Sequence, residues 1–313
     1  MKADRGTGGR RFKETDGVAR LCLQQILEKA HDMGNSRRGK AKDRRSAPVS
    51  GDEAKRGFQY LFGPVASWRL GASLGIDLLS QEKKVCNFDC LYCQLGETRE
   101  SPEERRVYIS TEAVLAEMHE LPEDLVIDVL TFSGKREPTL ARNLGETIRA
   151  VKEVRREPVV VLTNASLMNR EDVREELYCA DIVVAKLGAC SEAMFRRINR
   201  PEPGIRFADI VEGLKRFRSA YRKGKLSLQI MFIDENRDCA KEIAGMVEGI
   251  VPDEVQINTP LRPCRESPLS REEINRIVGA FGTFPMLSVY EQERPVVRSL
   301  TPEGTLRRRG KVH

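Results

Sequence analysis

From residue 58 onward, short runs of β-branched and aliphatic residues alternate with stretches whose apolar positions recur at helical spacing. The runs at 74–79, 126–132, 158–162, 181–187, 226–233 and 255–258 read as strands. Between them, Val114, Leu115 and Met118 share one face of a helix opening near Thr111, and Leu144, Ile148 and Val151 do the same over 143–154. Asn169 is the expected N-cap of the next helix. Phe207, Ile210, Val211, Leu214 and Phe217 mark another, 240–250 a further one, and Ser270 with Glu273 makes a capping box for the last. Strands that are apolar almost throughout, separated by helices, belong to a parallel sheet covered by helices. Six such units predict an α/β fold, an open partial (β/α)6 barrel. Right-handed crossovers then put the loops after the strands on one rim, where barrel active sites collect.

Outside this core, Val18, Leu21, Leu23, Ile26 and Leu27 predict a short amphipathic helix ending near Gly34, and 35–57 reads as a linker rich in Arg, Lys, Ser and Gly. The chain thus divides into a basic, largely disordered extension over 1–57, a barrel over 58–282 and a C-terminal extension over 283–313. Within the last, 286–290 and 296–300 are candidate strands. Residues 1–57 hold 15 Lys and Arg against 8 Asp and Glu, whereas the remainder holds 38 against 39. The arm fits a solvated extension or an electrostatic handle for RNA or an acidic partner, and so does the tail Leu306-Arg307-Arg308-Arg309-Gly310-Lys311. No apolar run reaches the roughly eighteen residues a membrane span needs, and the N-terminus lacks an apolar leader. The expectation is a cytoplasmic protein with no membrane partner. Eight cysteines in a chain of 313 residues then read as metal ligands or buried thiols rather than a disulfide framework.

The strongest chemical signal is Val85-Cys86-Asn87-Phe88-Asp89-Cys90-Leu91-Tyr92-Cys93-Gln94. Thiolates from Cys86, Cys90 and Cys93, converging from so short a loop, suit three corners of a cubane iron–sulfur cluster, because iron prefers soft anionic sulfur. With no fourth cysteine at similar range, one iron stays open to another ligand. A closed zinc site would want a fourth protein donor, and no His stands nearby, so zinc requires a distant one. Cys179, Cys190, Cys239 and Cys264 lack tight mutual spacing, and only Cys22 lies N-terminal to the loop.

The C-x3-C-x2-C loop, with an aromatic before its last Cys, resembles that of radical S-adenosylmethionine enzymes. The lead-in Phe62-Gly63-Pro64-Val65-Ala66-Ser67-Trp68-Arg69-Leu70-Gly71 and the exit Gln94-Leu95-Gly96-Glu97-Thr98 resemble a branch related to the wybutosine-synthesis tRNA enzymes. The resemblance runs from about Tyr60 to about Pro268. It implies a [4Fe-4S] cluster on the three cysteines and S-adenosylmethionine on the open iron, with Phe88 and Tyr92 shielding the cluster or touching the cofactor. It also implies cofactor contacts from Ser133, Gly134 and Glu137 of Ser133-Gly134-Lys135-Arg136-Glu137-Pro138-Thr139-Leu140, from Asn164 and Ser166, and from Lys186 and Arg200. Asn258 and Arg262 of Asn258-Thr259-Pro260-Leu261-Arg262-Pro263 complete the set. Two departures stand out: Arg136 replaces a common Gly, and Gly188 replaces a common Asp. The archaeal wybutosine enzymes carry a second cluster on cysteines preceding the loop, and Cys22 alone does not supply one.

The implied activity is reductive cleavage of S-adenosylmethionine to a 5′-deoxyadenosyl radical that modifies a substrate at the rim. That substrate is either RNA, held by the basic arm, or a protein or metallocofactor undergoing maturation. A low-potential donor of the flavodoxin or ferredoxin kind would supply the electron. The alternative from another class is a non-catalytic iron–sulfur or electron-transfer protein, which Arg136 and Gly188, both departures near the expected cofactor pocket, keep open.

Overall fold

The computed structural model describes residues 57–309, apart from 82–83, 99–103, 135 and 283. The expected helix near 18–34 and its linker lie outside the described residues. In chain order come β1 (Leu61–Ser67), β2 (Gly71–Ile76), α1 (Thr111–His119), β3 (Val129–Phe132), α2 (Leu144–Val154), β4 (Val159–Thr163), α3 (Glu171–Leu177) and β5 (Ile182–Lys186). They continue with α4 (Glu192–Asn199), α5 (Phe207–Ala220), β6 (Lys225–Met231), α6 (Ala240–Ile250), β7 (Glu254–Asn258), α7 (Arg271–Val278), β8 (Met286–Ser288) and α8 (Pro302–Arg309). The strands form one eight-stranded sheet in sequential order. Only the β1–β2 pair is antiparallel. The sheet curls into a half barrel, as expected of the partial barrel, and β2 to β7 are the six strands read from the sequence.

Paired residues of neighbouring parallel strands point to the same face, so the register defines two surfaces. Leu74, Leu130, Val159, Val183, Leu226 and Val255 belong to the outer rows and are buried to 0 % exposure beneath the helices. Each such side chain contributes about 1.5–3 kcal/mol by leaving water. The inner face is mixed. Val129, Val160 and Val184 form a small apolar floor with Leu70, Leu162 and Ile182 packed on it. Further along the same rows come Thr131, Lys186, Gln229, Gln256 and Asn258.

Several boundaries differ from the expectations. The first predicted strand begins earlier and ends at Ile76, because the buried Asp77 turns the chain by accepting the Leu79 amide at 3.2 Å. The second begins at Val129, with Val126 72 % exposed and Asp128 accepting the Ala72 amide at 2.6 Å. Asn169 is not an N-cap. Helix α3 starts at Glu171 behind Arg170, and the Asn169 carbonyl instead receives Arg174 Nη1 at 2.7 Å. The segment 296–300 is not a strand; it touches the sheet through the Leu300 amide, which donates to the Gly63 carbonyl at 2.6 Å. β1 went unread because Gly63-Pro64 argues against a central strand, yet it is an edge strand, where proline is tolerated.

The basic tail is not simply solvated. Residues 302–309 form α8, which covers the β1 edge with Thr305 Oγ1 accepting the Gly63 amide at 3.0 Å. Arg308 is buried, its Nε 3.3 Å from Asp77 Oδ2. The expectation of ordinary thiols also fails at one place: Cys190 and Cys239 are joined as a disulfide, with Cα atoms 5.9 Å apart. β5 and β6 are neighbours in the sheet, so the loops that follow them meet on the rim. Among the described residues, no helix is long and apolar enough to cross a membrane.

Candidate active site

The cysteine loop is held by the end of a helix. Arg200 caps α4 in the left-handed conformation at φ 44°, leaving last-turn carbonyls without intrahelical partners. Loop amides satisfy them: Leu91 donates to Ile198 O at 2.9 Å, and Asp89 to Asn199 O and Arg200 O at 3.1 Å each. Phe88 stacks edge-on against Phe195 of α4, with ring centroids 5.3 Å apart. The loop is closed at its base by Lys84 Nζ donating to Gly96 O at 2.8 Å and by the Thr98 amide donating to Asp89 Oδ1 at 2.8 Å.

Cys86, Cys90 and Cys93 line one cavity of about 250 Å3 at the carboxyl rim of the half barrel. Amide groups stand beside two of the sulfurs. Asn199 Nδ2 lies 3.4 Å from Cys90 Sγ and 2.7 Å from the Tyr92 hydroxyl, and Asn164 Nδ2 lies 3.8 Å from Cys86 Sγ. Asn164 is fixed through Asn87 Oδ1 at 2.8 Å, and Asn87 Nδ2 in turn donates to Ser166 Oγ at 2.7 Å. Burial pushes the Cys86 thiol up to about 12, with the neighbouring Cys90 and Glu137 adding to the rise. Burial also raises the Cys90 thiol, against the opposing charge of Lys186. Thiols in this setting lose their protons when a cation arrives to balance the charge.

The strand exits build the other walls. Gly134 leaves β3 at φ 153°, and a Cβ there would sit 2.5 Å from Asp77 Cγ. This position therefore demands glycine on both conformational and steric grounds. Glu137 knots two exits together: it accepts Thr139 Oγ1 and Thr163 Oγ1 at 2.7 Å each and the Asn164 amide at 2.6 Å. Burial raises the Glu137 carboxyl above its ordinary range despite those donors. Lys186 Nζ projects over the Tyr92 ring, 5.9 Å from its centroid.

Of the residues singled out in the sequence, Phe88, Tyr92, Ser133, Gly134, Glu137, Asn164, Lys186, Asn258 and Arg262 line the cavity with the cysteines. Ser166 and Arg200 are not among its lining residues. Ser166 supports Asn87 from behind, and Arg200 is exposed at the rim, its Nη1 3.8 Å from Asp89 Oδ2. The neighbouring Asn199 faces inward, a choice made by the left-handed cap that no spacing rule reveals. Trp68, Arg69, Arg294 and Arg309 also line the cavity and were missed. Trp68-Arg69 was visible as part of the lead-in, but its place inside the barrel depends on the β1–β2 turn.

Neither departure strains the backbone here, although the Nε and Nη1 atoms of Arg136 are buried without a hydrogen-bond partner among the described residues. Arg136 does not adopt positive φ, and its Nη2 donates to the Gln81 carbonyl. A Cβ at Gly188 would approach nothing closer than Met231 O at 3.6 Å, and the Gly188 carbonyl accepts Asn236 Nδ2 at 2.7 Å.

The half barrel thus brings three thiols into one cavity at its rim. A family profile described as the radical SAM superfamily matches residues 84–247. The UPF0026 protein slr1464 of Synechocystis sp. is 40 % identical over 216 residues, covering 69 % of this chain and 79 % of that protein. The UPF0026 protein MJ1312 of Methanocaldococcus jannaschii is 36 % identical over 229 residues, 70 % of each chain. Among solved structures, Streptococcus suis SuiB bound to S-adenosylmethionine superposes with a TM-score of 0.52 at 12 % identity. That likeness is one of fold, over 70 % of this chain and 50 % of SuiB. The chain belongs to the radical SAM superfamily, whose members use a [4Fe-4S] cluster and S-adenosylmethionine.

The donor set fits that cluster. Among the described residues, no three His, Cys, Asp or Glu side chains are arranged to hold a single metal ion. A cubane instead meets each thiolate with its own iron. The cavity's lining includes the three cysteines and no histidine, in keeping with that preference for sulfur.

Proposed function

We propose that this radical SAM enzyme modifies a substrate held in the cavity beside the cysteine loop, with Cys86, Cys90 and Cys93 as the cluster ligands. The observation that carries the reading is the convergence of all three thiols on one cavity with the exits of β3, β4, β5 and β7. A cluster held by Cys86, Cys90 and Cys93 would supply the electron for reductive cleavage of S-adenosylmethionine.

The chain's own groups bind, orient and exclude water. Asn199 and Asn164 direct N–H groups toward cysteine sulfurs, and hydrogen bonds to sulfur are one of the levers that set cluster potential. Ser133 and Gly134 present the irregular backbone after β3 as a cradle for an ammonium group, whose formation depends on the Gly134–Asp77 contact. Lys186 offers a point charge to a carboxylate, and Asn258 a neutral polar contact. Phe88 and Tyr92, both nearly sealed from solvent, keep water from the loop. A flavodoxin- or ferredoxin-like donor delivers the electron. RNA held by the basic arm is the substrate reading that falls on residues 1–57, almost wholly outside the described residues.

Anaerobic reconstitution with iron and sulfide tests the reading. The expected result is a cluster spectrum that shifts on adding S-adenosylmethionine, with dithionite-dependent formation of 5′-deoxyadenosine. A cluster whose spectrum ignores the cofactor would restore the electron-transfer alternative.

A further inference from the structure

The cavity is far more basic than cofactor binding requires. Arg69, Arg262, Arg294, Arg308 and Arg309 line it together, whereas Glu137 is the one carboxylate among its described lining residues. Both Glu137 oxygens are already occupied by Thr139, Thr163 and Asn164. Arg308 is answered by Asp77. Arg69, Arg294 and Arg309 form no ion pair among the described residues. The Nε atoms of Arg69 and Arg309 are sealed from solvent with no hydrogen-bond partner.

These guanidiniums come from separated parts of the chain. Arg69 rises from the β1–β2 turn, at the amino end of the parallel strands, and reaches Gln256 Oε1 at 3.2 Å. Arg262 follows β7 and donates Nη1 to the Arg309 carbonyl. Arg309 ends α8, and Arg294 lies between β8 and α8. Burial lowers Arg309 to about 9, with the charges of Arg262, Arg69 and Arg294 pushing the same way. Arg294 is exposed and the other three are half-buried, and gathering such like charges is costly unless an anion completes the site.

We propose that Arg69, Arg262, Arg294 and Arg309 form the phosphate subsite of a small phosphorylated substrate, whose remaining part extends toward the cysteine loop. The planar forks of arginine match phosphate oxygens in pairs. Four of them suit the clustered charge of a diphosphate or triphosphate better than a single carboxylate. Sealed Nε atoms also favour a terminal phosphate entering the cavity over a nucleic-acid backbone crossing its mouth. The assignment rests on the cavity being the reaction chamber, but its test is independent of the cluster.

Trp68 is the sole tryptophan of the chain, and the Arg69 guanidinium carbon lies 5.4 Å from its ring centroid, so its fluorescence reports on the subsite. Full-length, anaerobically reconstituted protein is titrated with inorganic pyrophosphate by calorimetry and by Trp68 emission, with citrate as the carboxylate control. The expected result is saturable pyrophosphate binding, at least about tenfold tighter than citrate, with a change in Trp68 emission. Arg309→Gln and Arg69→Gln should each weaken it by about tenfold or more, the scale of one lost charged hydrogen bond. Arg307→Gln, an exposed neighbour on α8, should leave it unchanged. If either cavity variant fails to fold, the salt dependence of wild-type pyrophosphate affinity supplies the second measurement and should be steep.

Citrate binding as tightly as pyrophosphate, equal affinities across all variants, or no salt dependence would overturn the subsite. So would single-stranded RNA lacking a terminal phosphate competing as well as pyrophosphate does. Cys90→Ala should keep pyrophosphate binding. Wild-type protein that binds pyrophosphate but forms no deoxyadenosine would sink the enzyme reading and leave this one standing, whereas deoxyadenosine formation without pyrophosphate binding would do the reverse.

Discussion

The two faces of the sheet follow different rules. Outside, Leu130, Val161, Val183, Leu228 and Ile257 repeat one chemistry, and any of them could be exchanged for another aliphatic at modest cost. Inside, the register that places Lys186 beside Gln229, and Gln229 beside Gln256, sets unlike polar groups next to each other. The outer face holds the fold together, and the inner face spends stability to hold particular groups. The difference teaches that neighbouring residues on one strand can answer to separate demands.

The largest expected effect is on the inner side. Cys90→Ala should reduce deoxyadenosine formation to background, measured by chromatography of anaerobic reactions, while circular dichroism shows the fold retained. The sharpest contrast comes from adjacent residues of β6. Leu228→Ala should cost about 2–5 kcal/mol in urea unfolding, as buried large-to-small changes do. Gln229→Ala should cost under about 1 kcal/mol, the net scale of an ordinary hydrogen-bonding side chain, yet lower turnover. If both variants lose stability equally, the division between the faces fails.

Gly134→Ala lies between the two. Positive φ and the clash with Asp77 should cost about 1–3 kcal/mol and weaken the S-adenosylmethionine-induced spectral shift together. The smallest effect concerns pH. Burial raises the folded Glu137 carboxyl above its ordinary 4.5. Its contribution to stability is thus fully present below the unfolded value and lost as pH rises through the folded one. Urea midpoints of the wild type should decline across that window relative to those of Glu137→Gln, and parallel profiles would sink the assignment.

The same contrast explains what could be read beforehand. The six central strands were legible because aliphatic runs need no knowledge of their neighbours. So was the Ser270 capping box, whose two hydrogen bonds measure 3.2 and 2.9 Å. The cysteine loop was legible because its spacing is local. The choice of Asn199 over Arg200 was not, since a left-handed cap turns consecutive residues to opposite sides. Arg309 was hidden for a different reason. A triple arginine near a terminus has the composition of a solvated tail, and contacts with residues far away in sequence, among them Arg308 with Asp77 and Ser80 and Thr305 with Gly63, draw it inward.

Helix α8 therefore does two jobs with a single stretch of chain. Clipping the molecule back to Ser299 would strip two arginines from the cavity and bare the hydrogen-bonding edge of β1, a template on which other chains can add strands. Damaged copies would leave solution as they lost their chemistry, so any preparation that remains clear should be one whose last helix is intact.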